Sequence, residues 1–242
     1  MKTPGLISCE VVDRETDLFI VGDADLSSIA KQAVKAVRRD IESFISAHPM
    51  FATTYKPYDV PDTAPEIIRK MAAAGRAAGV GPMAAVAGAV AEYVGRLCLK
   101  ESSQVIVENG GDIFIAMPRV SITGEFPIPP LTRRLLIYAG ESPLSGRLSL
   151  IIKPYQTPVG ICTSSGTVGH SFSFGKADAA VAISPDTALA DAWATRLGNQ
   201  IHTIEDLEKA IEVAQNAAGL TGAIIIKDDK MAAWGDIELE PL

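Results

Sequence analysis

Residues 82–97 constrain this chain more than any other stretch. Ala84, Ala85, Ala87, Gly88, Ala89, Ala91 and Gly95 leave almost no side-chain bulk on any face. Pro82 suits a first helical turn, so a helix is expected from there to about Lys100. A helix so bare can approach a neighbour's backbone very closely. It therefore belongs at the centre of the fold, although the same bare surface would also suit a seam between copies in a homo-oligomer.

The flanking patterns set the architecture around it. Leu6–Val12 and Asp17–Val21 are short apolar runs broken by Asp13-Arg14-Glu15, which reads as an opening β-hairpin. From Leu26 the apolar positions Ile29, Ala33, Val34, Val37, Ile41, Phe44 and Ile45 keep helical spacing, and His48-Pro49 ends it. Residues 49–63 read as a Pro-containing loop. Thr63 and Glu66 look like a capping box around Pro65, for a helix to about Arg76. Strands are expected at 104–108, 113–116, 133–139, 147–152, 158–163 and 177–184. A helix over Pro185–Arg196 and another over Ile204–Ala218 follow, then a closing hairpin, Gly222–Lys227 with Met231–Trp234. Strands and helices come in runs and do not alternate. The expected class is therefore α+β, with a mostly antiparallel sheet, in one domain spanning 1–242. No internal repeat is visible, and the proline-rich stretch 127–130 reads as a loop or lid.

Composition narrows the function. An apolar content of 48% over 242 residues supports a substantial core. A formal charge of −7 and no basic stripe exclude electrostatic nucleic-acid binding. Lys35, Arg38 and Arg39 are followed at once by Asp40 and Glu42, a solvated helix face. No apolar h-region follows Met1–Gly5, and Val80–Ala91 is too short to cross a bilayer, so no membrane association is expected. Cys9, Cys98 and Cys162 form neither a disulfide framework nor a metal motif. Cytoplasmic residence is the expectation.

Three stretches carry chemistry. Asn109-Gly110-Gly111-Asp112 lies between two strands. Its glycines would let a polar or phosphate-bearing ligand rest on bare backbone, but Asn-Gly is equally the signal of a tight hairpin turn. Cys162–Ser171 is the densest polar run, and its Ser, Gly and Thr amides (Thr163, Ser165, Gly166) can form an anion-binding nest. His170 there could bind a ligand or shuttle a proton; the alternative is a flexible surface loop. Asp191 and Thr195 lie four apart on a helix and share a face. They suit a hard cation such as Mg²⁺, or else are a helix-start aspartate beside a threonine bonded one turn back. Asp112 and Asp178 are further candidates for positioning or proton transfer. Cys162 would serve as a nucleophile or sulfur carrier only with a lowered pKa; a small buried residue is the other reading.

Taken in order, these stretches resemble the ApbE flavin transferases. Val107–Ile113 resembles their strand-turn, Thr163-Ser164-Ser165-Gly166 followed by His170 resembles their Thr-Ser-Gly…His segment, and Ala190-Asp191-Ala192-Trp193-Ala194-Thr195 is similar to their metal motif. The likeness covers roughly residues 80–197. The whole chain resembles an ApbE-like family of anaerobic archaea and bacteria linked to sulfide assimilation and homocysteine formation. This implies a fold of the T-fold class, and Mg²⁺ held by Asp191 and Thr195. It implies FAD or FMN along Gly110, Gly111 and the Thr163–His170 loop, and an acceptor or sulfur-pathway protein as partner. The transferases move FMN from FAD to a threonine of a partner protein. Two features depart from them. The comparable stretch Val80–Gly88 lacks the lysine that approaches the cofactor phosphates, for which Lys153, Lys176 or Arg196 could substitute in space. The Pro-x-Thr-Gly that follows the family's histidine is also missing. The implied fold does not depend on these residues, whereas FAD binding and FMN transfer do; the expected ligand is a small phosphate-bearing or anionic molecule held with a divalent cation. The alternative is a non-catalytic accessory protein carrying sulfur on Cys162.

Overall fold

The computed structural model describes residues 5–118, 132–167 and 174–242. His170 and the 127–130 stretch lie outside the described residues. The opening hairpin pairs β1 (Ile7–Asp13) with β2 (Thr16–Gly22). α1 (Ser27–Ala47) buries Ala30, Ala33, Val34, Val37, Ile41 and Phe44 along one stripe. The expected loop at 49–63 contains one extra helical turn, α2 (Met50–Thr53), which buries Phe51. α3 (Glu66–Ala78) takes Pro65 as its N-cap with no side-chain cap, so the capping box expected at Thr63 does not form. Pro82 opens a 3-10 turn, Pro82–Ala85, and the α-helix proper, α4, spans Val86–Cys98.

The β-rich part follows with β3 (Val105–Asn109), β4 (Asp112–Ala116), β5 (Arg133–Leu136), β6 (Leu148–Ile152), β7 (Val159–Ser164) and β8 (Ala179–Ser184). The chain closes with α5 (Thr187–Gly198), α6 (Asp206–Gln215), β9 (Gly222–Lys227), β10 (Lys230–Gly235) and β11 (Leu239–Pro241). Eight strands form one antiparallel sheet in the order β1-β2-β3-β4-β7-β8-β9-β10. β5 and β6 leave it to join β11 in a second sheet, β11-β6-β5. The expected α+β class with a mostly antiparallel sheet is what forms; the three-residue β11 has no sequence signal of its own.

The burial patterns follow from the layers. The helices cover one face of the large sheet, with a core that includes Leu18, Phe114, Val94 and Leu197. The small sheet covers the other face only over β4, β7, β8 and β9, through Ile115, Ile137, Leu150, Ile161 and Val181. Strands covered twice are apolar throughout, as in β8, where every residue is buried. β2 is covered once and alternates buried with exposed residues. No single helix among the described residues is long and apolar enough to cross a membrane.

α4 lies where its bareness placed it, against α1, α3, α5, β3 and β4. A Cβ on Gly88 would stand 2.4 Å from the Thr187 carbonyl oxygen, and one on Gly95 would stand 2.2 Å from the Phe114 ring. Both are sites that only glycine fills without displacing a neighbour.

Candidate functional site

The site forms where the β4–β7 ladder stops. These strands pair over three positions only, ending at Ile113↔Ile161. Beyond that point β7 continues along β8 to Ser164, while β4 runs back into its turn. A cleft of about 690 Å³ opens there, and its walls include Gly110, Gly111, Asp112, Thr163, Asp191 and Thr195. Ser164 and Ser165 also face it. The glycine pair, the hydroxyl-rich run and the aspartate–threonine helix turn thus meet in a single cavity.

Gly110 and Gly111 form the two-residue turn between Asn109 and Asp112, with φ of +63° and +103°. A Cβ at either would meet nothing within 4 Å. Conformation, not crowding, requires glycine here, and the turn leaves open backbone at the cleft. Asn109 fixes the turn to α4 by donating from Nδ2 to the Ala87 carbonyl at 3.0 Å.

Asp191 is the fifth residue of α5, not a helix-start residue; Asp186 is the N-cap. Its Oδ2 accepts from the Gly88 N–H, 2.8 Å away, in the first turn of α4. That N–H has no intrahelical partner, so Asp191 caps α4 from the side. Such an approach is possible because Gly88 has no side chain: a Cβ there would lie 2.8 Å from the Asp191 Cβ. Asp112 is buried at the start of β4, and its Oδ1 has no hydrogen-bond partner. Burial pushes the Asp112 carboxyl up to about 7, against the pull of the Cys162 thiol and the Thr163 N–H. Burial and the charge of Asp112 push Asp191 well above the carboxylate range, and the Gly88 and Ala87 N–H groups only partly offset them. A buried carboxyl, Asp112, and a half-buried one, Asp191, thus share the cleft with no cationic partner of their own among the described residues.

A divalent cation would supply that charge. Carboxylate and hydroxyl oxygens are hard donors suited to Mg²⁺, and the orphaned Asp112 oxygen gives the group a place. No group of three His, Cys, Asp or Glu side chains able to hold a metal occurs among the described residues. The donors would therefore be Asp112, Asp191 and Thr195, completed by backbone or ligand oxygens.

Other candidates sit elsewhere. Gly166 does not line the cleft; a Cβ there would stand 2.1 Å from the Gly175 carbonyl oxygen, and its N–H donates to Ala177 at 2.8 Å. Asp178 accepts from the Asp228 N–H at 2.6 Å and from the Thr167 hydroxyl at 3.3 Å, so it ties the β9–β10 turn to the loop after β7. Cys162 is fully buried, and burial together with Asp112 and Asp191 holds its thiol well above the usual range. A sulfur carrier needs a reachable thiolate, whereas this thiol is buried and faces the Thr187 carbonyl at 3.4 Å. Lys153, Lys176 and Arg196 are not in the cleft wall. Arg134 is its one cationic side chain among the described residues. Sequence pattern did not find it, because Arg134 lies outside the motifs and the pairing of β5 that brings it to the cleft leaves no linear signal.

Fold and cleft together define an ApbE-like protein. Two solved structures match nearly the whole chain. They are the flavinyl transferase ApbE of Pseudomonas stutzeri in its apo form (TM-score 0.56, 13% identity, 95% of this chain and 93% of that one) and the ApbE protein of Thermotoga maritima (TM-score 0.55, 13%, 94% and 96%). At such identity the likeness is one of fold. A family profile described as "AbpE bacteria" matches residues 2–233, and the chain belongs to that family. UPF0280 proteins are similar along most of their length. That of Methanocella arvoryzae is 40% identical over 239 residues, covering 97% of this chain and 92% of its own. That of Methanosarcina acetivorans is 40% identical over 228 residues, covering 93% and 85%.

Proposed function

We propose that the cleft binds a flavin nucleotide, FAD or FMN, together with Mg²⁺, and that the chain works as one unit to pass the nucleotide to an acceptor protein. The observation that carries this reading is the orphaned buried oxygen of Asp112 in a cleft that Asp191 also lines, beside an open glycine turn and a run of hydroxyls. Asp191, Asp112 and Thr195 would hold the cation. Mg²⁺ would neutralise charge on the nucleotide's phosphates during phosphoryl transfer. Gly110 and Gly111 would let the ligand rest on backbone, and Thr163 and Ser165 would donate to its oxygens. Arg134 would take the role of the family's lysine. His170 would serve as a ligand contact or proton carrier, and Gly166 would shape the turn that follows Ser165. The apolar wall of Leu135, Ile137 and Ile161 suits a flat ring. Sulfide assimilation and homocysteine formation are the setting implied by the resemblance, and the cleft is where the protein would take part.

Thermal unfolding with FAD, Mg²⁺, or both tests this. Saturating FAD and Mg²⁺ together should raise Tm by about 5 °C or more, the size expected of a ligand well above its Kd. Asp191→Asn should abolish the shift, and Arg134→Gln should weaken FAD affinity about tenfold. No shift with any combination would refute the reading.

A further inference from the structure

The small sheet ends at β5, and β5 borders the cleft. Its pairing with β6 uses alternate residues. The Ile137 N–H donates to the Leu148 carbonyl at 3.0 Å, and the register Leu135↔Leu150 and Arg133↔Ile152 carries that phase back along the strand. The backbone groups of Arg134 and Leu136 therefore point away from β6, and no described residue pairs with them. Leu136 and Tyr138 are 57% and 63% exposed at the same edge. The other edge strands, β1, β10 and β11, contribute nothing to the cleft wall.

Beside this edge lies the uncovered outer face of β1, β2 and β3. A hollow of about 370 Å³ there is walled by Glu10, Asp17, Phe19 and Glu108, and Glu108 also faces the cleft. Arg133, at the start of β5, reaches the Gln104 side chain just ahead of β3, so edge and face adjoin. Arg134 is already paired with Glu240. Glu10, Asp17 and Glu108 have no cationic partner among the described residues.

We propose that the edge of β5, open among the described residues, and the acidic face beside it form a docking groove for an extended segment of a second protein, one that alternates apolar residues with Lys or Arg. Unpaired strand amides select an extended backbone. Leu136, Tyr138 and Phe19 select the apolar row, and the carboxylates select the basic row. A segment so placed runs along the mouth of the cleft. The groove does not rest on the flavin reading, since neither edge nor face needs a nucleotide.

The test uses the whole chain without nucleotide or cation. A displayed library of short random segments is panned against the protein, and the enriched segments are synthesised. They should alternate apolar and basic residues and slow amide exchange at Arg134 and Leu136. Binding should be about tenfold or more weaker to Leu136→Pro. Proline there removes only an outward N–H, which an edge strand tolerates, and an unchanged Tm shows that the variant folds. Glu108→Lys should weaken basic segments and spare acidic ones. The proposal fails if nothing is enriched, if Leu136→Pro binds as well as the parent, or if the Arg134 and Leu136 amides are already protected in the free protein.

Discussion

Asp112 and Asp191 give the cleft a pH response of definite sign. The folded Asp112 carboxyl titrates near 7, above its unfolded value of about 3.9. The folded protein therefore holds a proton that the unfolded chain releases. This stabilisation is fully present below about pH 4 and is lost as pH rises to about 7. Asp112→Asn should leave Tm at pH 4 nearly unchanged and raise it at pH 8 by a few degrees in the absence of cation. A lower Tm at pH 8 would show that Asp112 is paired in the folded state. Glu92 is the opposite case. Burial works against its charge, but Lys70, the Thr187 N–H and Arg96 outweigh burial and hold its carboxyl below the usual range. Lys70 stands 2.7 Å and the Thr187 N–H 2.9 Å from its carboxylate, so Glu92 joins α3, α4 and the start of α5. Glu92→Ala should cost on the order of 3 kcal/mol by denaturant unfolding. Neither role is visible in the chain. Both depend on which charges meet across elements, and spacing within one element does not encode that.

The approach of α4 to α5 positions Asp191. Gly88→Ala would drive a methyl into the Thr187 backbone and against Asp191. It should destabilise the protein by about 1–3 kcal/mol and abolish the FAD–Mg²⁺ thermal shift. Gly79→Ala is the control; its Cβ would meet nothing within 4 Å, although its φ of +71° makes it mildly destabilising. It should keep the shift. If Gly88→Ala retains the shift, the helix approach does not position the site. α4 was legible because a run of Ala and Gly suits close approach to a neighbouring backbone. The start of α3 was less so. Thr63 and Glu66 have the composition of a capping box, but the chain turns at Pro65 and leaves Thr63 outside the helix. β5 and β6 were legible as strands, while their departure into a second sheet was not, since strand patterning does not name the partner.

The molecule is laid out as two halves with the same order of elements. β1 and β2, the helices α1–α4, then β3 and β4 make the first; β7 and β8, α5 and α6, then β9 and β10 make the second. In each, helices join neighbouring antiparallel strands and lie on the same face of the sheet. No sequence repeat marks this, because a shared order of elements needs only similar burial patterns. Asp112 comes from the first half, Thr163, Asp191 and Thr195 from the second, and the cleft lies at their seam. Linear spacing brought out the three motifs, and the shared seam is what brings them together. The central claim is that a cation at this seam holds a nucleotide, and a crystal soaked with FAD and Mn²⁺ tests it most directly. Anomalous density should lie against Asp112, Asp191 and Thr195, with a flavin nucleotide phosphate beside it. Flavin bound in the cleft without metal at these residues, or metal bound elsewhere on the molecule, would contradict the account.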